Sequence, residues 1–432
     1  MRLKSISLLA MSTILSASIL TGCGGSSSAM EKSNEELYIV TEDKSTKSLR
    51  NAKPGMFGVT EEGEILMDKG YEGKVGYIDK KGKSAIDFEF DKGTEFSYGM
   101  AGIKVGDTYK IINSKGKAIV EKKDGILSPL SENLIRYEKL ANEILENENT
   151  TEAIEILADA GKTLKSTGIL NTNGELVVEQ GTYDAVIEEV GEGYILVKKN
   201  EMYGLLDPNG KEIVPCEYTS IGIMNEGFIP VSKGNKCGAL NNKGEVIVPI
   251  EYLYIGPMNE GMAPARMDES GIGFIDNQGT WVIEPNFEGV TAMNNGVAFA
   301  RKDKKHILID KEGKVIETEL NFENSVSING FTDSGLAVVD ILDGSTKYMS
   351  IINDKGKEIE KLEKKQYAAL EISQSGLIVS VNMEGKKGLL NKDGSVILEE
   401  EYNDIRVIAE DVILVDKDGF YSYMNSKGEA LY

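Results

Sequence analysis

Short apolar runs alternate with polar turns along most of the chain. Leu205-Leu206 and Ile213-Val214, for example, lie on either side of the polar segment Asp207-Pro208-Asn209-Gly210. Two short apolar runs separated by a tight, glycine-containing polar segment are typical of an antiparallel β-hairpin. The pattern predicts an all-β fold assembled from hairpins.

The glycine of this polar turn recurs at a nearly constant spacing, with six of the nine intervals between 34 and 36 residues. The ten turn glycines are Gly82, Gly116, Gly174, Gly210, Gly244, Gly279, Gly313, Gly356, Gly394 and Gly428. Each has Asp or Asn three residues earlier: Asp79, Asn113, Asn171, Asp207, Asn241, Asp276, Asp310, Asn353, Asn391 and Asn425. Residues 75–432 are therefore predicted to form about ten tandem antiparallel β-repeats of about 34 residues each.

The chemistry of the turn explains this residue choice. An Asp or Asn side chain at the first position accepts backbone N–H groups, and glycine at the fourth position adopts the left-handed conformation. We therefore expect structural turn roles for Asp79 and Gly82, Asp207 and Gly210, Asn241 and Gly244, and Asp276 and Gly279.

A second glycine follows seventeen residues after several turn glycines, at Gly99, Gly227, Gly261 and Gly296. In two other copies Asn133 and Asp411 take its place. Since Asn and Asp tolerate positive φ better than other non-glycine residues, we expect a left-handed backbone there in every copy. A short fourth strand is predicted between Glu217 and Met224, so that each unit resembles a small blade.

One interval is much longer than the others. Gly116 and Gly174 are 58 residues apart, yet Leu130–Lys139 aligns without a gap with Met224–Lys233. The additional segment is therefore about 140–167, where apolar residues recur at helical spacing. It is predicted to be a helical insertion, either a solvated excursion over one edge of the array or an arm that binds a partner.

Units of this kind can close into a propeller-like ring or stack as an open solenoid of hairpins. The ring is favoured because the last copy stops after one hairpin, whereas Leu37–Val40 resembles the strand which that copy lacks. Residues 37–74 are interpreted as an N-terminal β segment.

The N-terminus has the features of a secretory signal. Arg2 and Lys4 precede an apolar run from Ile6 to Leu20, which is too short for a permanent membrane span. The segment Leu20-Thr21-Gly22-Cys23 resembles the lipobox of bacterial lipoproteins. This resemblance implies removal of residues 1–22 and acylation of Cys23. Because Gly24 to Met30 are rich in glycine and serine, residues 23–36 are expected to be the acylated cysteine and a flexible tether. It further implies a lipid-anchored protein on the outer side of the bacterial cell membrane or at the cell surface.

The repeat motifs resemble those of a known family. The motif at 76–82 is Gly-Tyr-Ile-Asp-Lys-Lys-Gly, related motifs occur at 204–210 and 273–279, and Gly335-Leu336-Ala337 begins a later strand. These segments are similar to the WG-containing repeat of bacterial proteins over residues 76–432. The name-giving tryptophan is replaced, for example by Tyr203 and His306. Because the family is defined by repetition, the resemblance implies a β-repeat protein and no particular reaction.

Composition narrows the possible functions. Lys and Arg number 48 against 70 Asp and Glu, a formal net charge of −22, which disfavours nucleic acid as a partner. The single histidine, His306, excludes zinc sites with several imidazoles, and a packed ring is its expected role. The Asp and Asn turns lack the alternating ligands and distal glutamate of a calcium loop. We expect no catalytic residue, no metal and no cofactor.

Two cysteines and one tryptophan complete the set of candidate residues. Cys216 and Cys237 belong to an exported chain, where a disulfide is allowed but not required. Trp281 lies on a strand next to a turn, where an exposed indole would indicate a contact surface.

These observations lead to one hypothesis and two alternatives. The hypothesis is a surface-anchored, non-enzymatic lipoprotein whose repeats bind a protein or a cell-envelope polymer. A carboxylate-dependent enzyme acting on glycans is one alternative, for which acidic runs such as Glu61-Glu62 and Glu399-Glu400-Glu401 are the candidate groups. A structural spacer without a ligand is the other.

Overall fold

The fold was analysed in a computed structural model, which describes residues 37–41, 74–81, 83–139, 167–318, 330–343, 346–361, 367–418 and 420–431. These residues form 37 strands and contain no helix. The prediction of an all-β fold is confirmed. The signal segment with Cys23, residues 42–73 and the proposed helical insertion at 140–166 lie outside the described residues.

The strands form ten antiparallel sheets in chain order, numbered here 1 to 10. Sheet 1 contains β1 (Leu37–Thr41), β2 (Val75–Asp79) and β3 (Ser84–Phe90), and sheet 2 contains β4 (Lys92–Gly93), β5 (Met100–Val105), β6 (Thr108–Asn113) and β7 (Ala118–Lys122). Sheet 3 contains β8 (Gly125–Pro129), β9 (Leu134–Lys139), β10 (Thr167–Asn171) and β11 (Leu176–Val178), and sheet 4 contains β12 (Ala185–Glu189), β13 (Ile195–Lys199), β14 (Met202–Leu206) and β15 (Glu212–Tyr218).

The middle of the chain continues in the same way. Sheet 5 contains β16 (Ser220–Ile221), β17 (Phe228–Lys233), β18 (Lys236–Asn241) and β19 (Val246–Tyr252), and sheet 6 contains β20 (Tyr254–Ile255), β21 (Ala263–Arg266), β22 (Ile272–Ile275) and β23 (Trp281–Phe287). Sheet 7 contains β24 (Gly289–Val290), β25 (Val297–Lys302), β26 (Lys305–Asp310) and β27 (Val315–Ile316).

The last three sheets follow. Sheet 8 contains β28 (Leu336–Asp343), β29 (Thr346–Asn353) and β30 (Glu358–Lys361), and sheet 9 contains β31 (Tyr367–Ile372), β32 (Ile378–Asn382), β33 (Lys387–Leu390) and β34 (Val396–Tyr402). Sheet 10 contains β35 (Asp404–Ala409), β36 (Val412–Lys417) and β37 (Phe420–Met424).

In each sheet the strands follow chain order and pair antiparallel with their neighbours, and seven of the ten sheets have four strands. In sheet 5, β17 pairs with β18 from Phe228↔Asn241 to Lys233↔Lys236, and β18 pairs with β19 across the glycine turn. The short strand expected between Glu217 and Met224 is β16. The register shifts between β18 and β19, so this last strand bends at a bulge.

Ten hydrophobic clusters hold the sheets together, and each cluster lies between two sheets. Nine of them join successive sheets from 1–2 to 9–10. The tenth joins Ile78 of sheet 1 to Val412, Leu414 and Tyr423 of sheet 10. The sheets therefore close into a propeller-like ring, which confirms the ring over the open solenoid.

The partner of the N-terminal strand differs from the expectation. Leu37–Thr41 does form a strand, but it pairs with β2 inside sheet 1, with Leu37 opposite Asp79. It does not pair with sheet 10, which contains β35, β36 and β37. The ring is closed by side-chain packing between two sheets.

The site of the insertion is visible from the strands on its two sides. β9 and β10 pair directly, from Thr167↔Glu138 to Asn171↔Leu134. Thr167, expected at the end of the insertion, is thus the first residue of β10. Residues 140–166 connect β9 to β10 in the sequence, as Gly234-Asn235 connects β17 to β18.

Candidate interaction surface

The polar turns are built by a side chain that substitutes for backbone hydrogen bonding. The Oδ1 atom of Asn241 accepts the N–H groups of Lys243 at 2.9 Å and Glu245 at 3.0 Å. The N–H of Gly244 donates to the Asn241 carbonyl at 3.0 Å, and Gly244 has φ +78°. This is the geometry that Asp or Asn and glycine favour at these two positions.

The other turns singled out in the sequence have the same hydrogen bonds. The first-position carboxylates each accept two backbone N–H groups: Asp79 from Lys81 and Lys83, Asp207 from Asn209 and Lys211, and Asp276 from Gln278 and Thr280. Gly210 and Gly279 have φ +82° and +79°. Gly82 lies outside the described residues.

The turn glycine also touches the preceding sheet. A Cβ atom on Gly244 would lie 2.5 Å from the carbonyl oxygen of Ile213 in sheet 4. A Cβ on Gly313 would lie 2.9 Å from the Cγ2 atom of Ile283 in sheet 6. Glycine is therefore required both by the backbone conformation and by close packing between neighbouring sheets.

The second turn of each repeat differs from the expectation in part. Gly227 has φ +69°, as expected, but Asn133 and Asp411 do not have positive φ. The residue before the glycine also takes the left-handed conformation, as Glu226 does with φ +53°. Glu226 and Gly227 are thus two consecutive left-handed residues that form the tight connection. The prediction of positive φ at Asn133 and Asp411 was wrong.

The glutamate at this turn links adjacent repeats, a role that the sequence analysis missed. Glu226 accepts the N–H of Gly261 at 2.8 Å, and Glu260 accepts that of Gly296 at 3.0 Å. Glu192 makes the same contact with Gly227 at 3.2 Å. The Glu-Gly pair that recurs in the sequence could have indicated this role. Each glutamate carboxylate links its own sheet to the next one by this hydrogen bond.

Apolar side chains are exposed beside the polar turns. The residue two positions after the turn glycine is Val246 in sheet 5, Trp281 in sheet 6 and Val315 in sheet 7, and we call these three residues the turn-edge row. Val246 and Val315 are both 54% exposed. Trp281 is half-buried and lies 6.1 Å from the ring of Tyr252, between centroids.

The same repeat position is apolar and exposed in two more sheets. It is Leu176 in sheet 3 and Val396 in sheet 9, which are 40% and 44% exposed. In sheet 4 it is Glu212, whose carboxylate accepts the Tyr183 hydroxyl at 2.7 Å. The apolar character is therefore continuous only over sheets 5 to 7 within this part of the ring.

The two cysteines lie in different interfaces. Cys216 packs against the cluster between sheets 3 and 4, and Cys237 against the cluster between sheets 5 and 6. Both are free thiols. Burial raises the pKa of the Cys216 thiol, helped by the nearby Glu212 carboxylate. The structure does not bring Cys216 and Cys237 together, so the disulfide that the sequence allowed is not formed.

The other chemically notable residues are separated as well. His306 is half-buried on β26, opposite Arg301 on β25. Lys417 donates a hydrogen bond to Glu401 and lowers the pKa of that carboxyl, while Glu400 accepts the Ser380 hydroxyl at 2.8 Å. Among the described residues, no group of three or more His, Cys, Asp or Glu side chains could hold a metal ion. Glu61 and Glu62 lie outside the described residues.

Sequence comparison identifies the repeat. Six segments match the WG containing repeat, namely residues 76–109, 168–203, 203–237, 238–269, 272–305 and 388–420. Over these six repeats the chain belongs to the WG-containing repeat family. No curated protein matches the chain.

Comparison with solved structures finds matches at low sequence identity. The WD40 β-propeller domain of Doa1 is 12% identical, with a TM-score of 0.29, over 55% of this chain and 90% of that chain. BamB from Moraxella catarrhalis is 10% identical, with a TM-score of 0.31, over 68% and 95%. A eukaryotic initiation factor is 8% identical, with a TM-score of 0.45, over 76% and 94%. In the part of this chain that the structure describes, no helix could span a membrane.

Proposed function

We propose that this protein is a lipid-anchored, non-enzymatic binding module that uses its repeats to hold a protein or a cell-envelope polymer. The turn-edge row is the observation that supports this function most directly. Covering apolar surface stabilises a complex by about 25 cal/mol for each Å² removed from water. Three neighbouring apolar side chains on a rigid ring therefore offer a preformed contact area.

The condition of the carboxylates supports binding in preference to catalysis. A general acid of a glycosidase needs a carboxyl whose pKa is raised. The candidate Glu401 has a lowered pKa because Lys417 donates to it, and Glu400 is hydrogen-bonded to Ser380. Both carboxylates therefore form hydrogen bonds with side chains of neighbouring strands.

A pull-down tests the binding role of the turn-edge row. The variant with both Val246→Asp and Val315→Asp is expected to lose most of the partners that the unaltered protein retains from envelope extracts. Buried carboxylates at these two positions would remain unpaired in the complex. Val105→Asp is the matched control, because Val105 is 38% exposed at the end of β5 and lies outside the row. Equal retention by the double variant and the control would contradict the proposal.

Metabolic labelling tests the anchor. Cys23→Ala is expected to abolish incorporation of labelled palmitate and to leave the precursor uncleaved, because the thiol is the proposed acylation site. The proposed cleavage also depends on that acylation. Cys237→Ala serves as the control and should be labelled normally. Equal labelling of Cys23→Ala and the unaltered protein would exclude a lipoprotein.

A further inference from the structure

The second turn of the repeat forms one more hydrogen bond to the next sheet, besides that of the glutamate. In sheets 5 to 7 the residue two positions before the glycine of this turn is asparagine, and its Nδ2 atom donates to a main-chain carbonyl of the following sheet. The pairs are Asn225 with Met258 at 3.0 Å, Asn259 with Met293 at 2.6 Å and Asn294 with Phe331 at 3.0 Å. We call these bonds and those of the glutamates the turn-to-turn hydrogen bonds.

Sheets 4 and 5 are joined at the same place by their main chains. The asparagine position in sheet 4 is Gly191, and the N–H of Met224 donates directly to the Val190 carbonyl at 2.7 Å. A Cβ atom on Gly191 would lie 2.2 Å from the Met224 carbonyl oxygen, so only glycine permits this approach. The four successive contacts from sheet 4 to sheet 8 therefore all have a hydrogen bond to a main-chain carbonyl.

The contact between sheets 3 and 4 lacks the asparagine bond. Ser131 takes the position of Asn225 in the alignment of Leu130–Lys139 with Met224–Lys233. Its side chain is shorter, and its Oγ atom has no hydrogen-bond partner within the part of the chain that the structure describes, although Ser131 is only 1% exposed. A buried hydroxyl that has given up water without gaining a partner is unfavourable.

The glutamate bond is missing from the same contact. Glu132 takes the position of Glu226 but does not have its positive φ. The N–H group that Glu132 would bind, that of Gly193, donates instead to the Glu189 carboxylate of its own sheet at 2.6 Å. Neither turn-to-turn hydrogen bond therefore joins sheet 3 to sheet 4.

A buried arginine lies at this contact instead. Arg136 takes the repeat position of Pro230 and Pro264, and it donates a hydrogen bond from Nη2 to the Ile187 carbonyl of sheet 4. Its Nε atom is buried without a hydrogen-bond partner among the described residues. Burial lowers the pKa of the guanidinium group, an effect that Glu138 partly opposes. The contact thus contains a second unsatisfied polar atom, which makes it less favourable than the contacts of sheets 4 to 8.

From these observations we infer that sheets 4 to 8 form one block that opens and closes as a unit, and that the ring loosens at the contact between sheets 3 and 4 before the block itself opens. The turn-edge row lies wholly inside this block, since Val246, Trp281 and Val315 belong to sheets 5 to 7. The three residues therefore keep their relative positions when the ring loosens. The inference concerns the ring and does not require that the row binds a partner.

Native-state hydrogen exchange of the full chain at increasing denaturant tests the block. Amides of β13, β17 and β25, in sheets 4, 5 and 7, should lose protection at one common denaturant concentration. Amides of β9 and β10 in sheet 3 should lose protection at a lower concentration, and in its absence they should exchange at least tenfold faster than those of β17.

A substitution inside the block should divide it. Asn259→Ala removes the asparagine bond between sheets 6 and 7, so the amides of β25 should exchange at least tenfold faster than those of β13. Asn235→Ala is the matched control, because Asn235 is exposed in the connection between β17 and β18 and lies outside the second turn. It should leave the protection of all these strands unchanged.

The reverse substitution should extend the block. Ser131→Asn combined with Asn133→Gly gives sheet 3 the Asn-Glu-Gly sequence of residues 225–227. The protection of β9 and β10 should rise at least tenfold, to that of β13. Ser131→Ala combined with Asn133→Gly lacks the amide donor and should give at most a small part of this rise.

Three results would overturn the inference. They are loss of protection in β9 and β10 at the same denaturant concentration as in β17, separate transitions for sheets 4, 5 and 7 in the unaltered protein, or unchanged protection of sheet 3 in a folded Ser131→Asn, Asn133→Gly variant. Circular dichroism verifies the fold of each variant. If that double variant does not fold, the exchange of the unaltered protein and of Asn259→Ala still decides.

Discussion

Replacing Gly244 with valine is expected to destabilise the protein strongly. Gly244 has φ +78°, which a β-branched residue adopts only with strain of about 1 to 3 kcal/mol. The new Cβ would also lie 2.5 Å from the Ile213 carbonyl oxygen, so sheets 4 and 5 must separate. The free energy of unfolding, measured with denaturant, should fall by the strain energy plus the cost of this displacement.

Two control variants separate the contributions. Lys243→Ala, at the neighbouring turn residue, should change stability little. Gly234→Val introduces the same side chain at φ +62° where no atom lies within 4 Å of the added Cβ, so it should show the strain without the clash. Hydrogen exchange in Gly244→Val should accelerate over residues 204–279 before it does near Gly428, because neighbouring repeats share their interfaces. Equal melting of Gly244→Val and Lys243→Ala would refute the assigned role of this turn.

The second large effect is expected at the closure of the ring. Leu414 is 3% exposed and packs with Ile78 across the contact between sheets 10 and 1. Leu414→Ala should cost about 2 to 5 kcal/mol, since a buried leucine is lost and a cavity remains. Calorimetry should show a lower midpoint for the whole ring.

Hydrogen exchange distinguishes closure from a local effect. In Leu414→Ala the amides of β2 should lose protection, although β2 is more than 300 residues away in the sequence. Leu240→Ala, a truncation of equal size between sheets 4 and 5, should first affect those two sheets. Unchanged protection of β2 in Leu414→Ala would mean that the array is open.

The sequence predicts the repeat because its turn is local. Asn241 and Gly244 are three residues apart, and one side chain and one backbone conformation define the hairpin. Closure is different, because Ile78 and Val412 are distant in sequence and have the same local pattern in a ring as in a solenoid. The choice between the two needs the angle between neighbouring sheets, which no local signal contains.

Of the three residues in the turn-edge row, only Trp281 was identified from the sequence as a candidate contact residue. Trp281 attracts notice as the single tryptophan, whereas Val246 and Val315 look like ordinary strand interior. They are the first residues of β19 and β27, directly after the polar turn. Glu226 was missed for a related reason, because a positive φ is expected at glycine and rarely at glutamate.

Closure of the ring also restricts changes in the number of repeats during evolution. An open stack tolerates one unit more or less, because only its length changes. In a circle of ten sheets, each neighbouring pair turns by about 36° on average. Losing one unit would raise that angle to about 40° at every interface at once, so all nine remaining contacts between neighbouring sheets would have to adapt together. Duplication or loss of a single repeat should therefore be selected against, however little it affects the surface that binds.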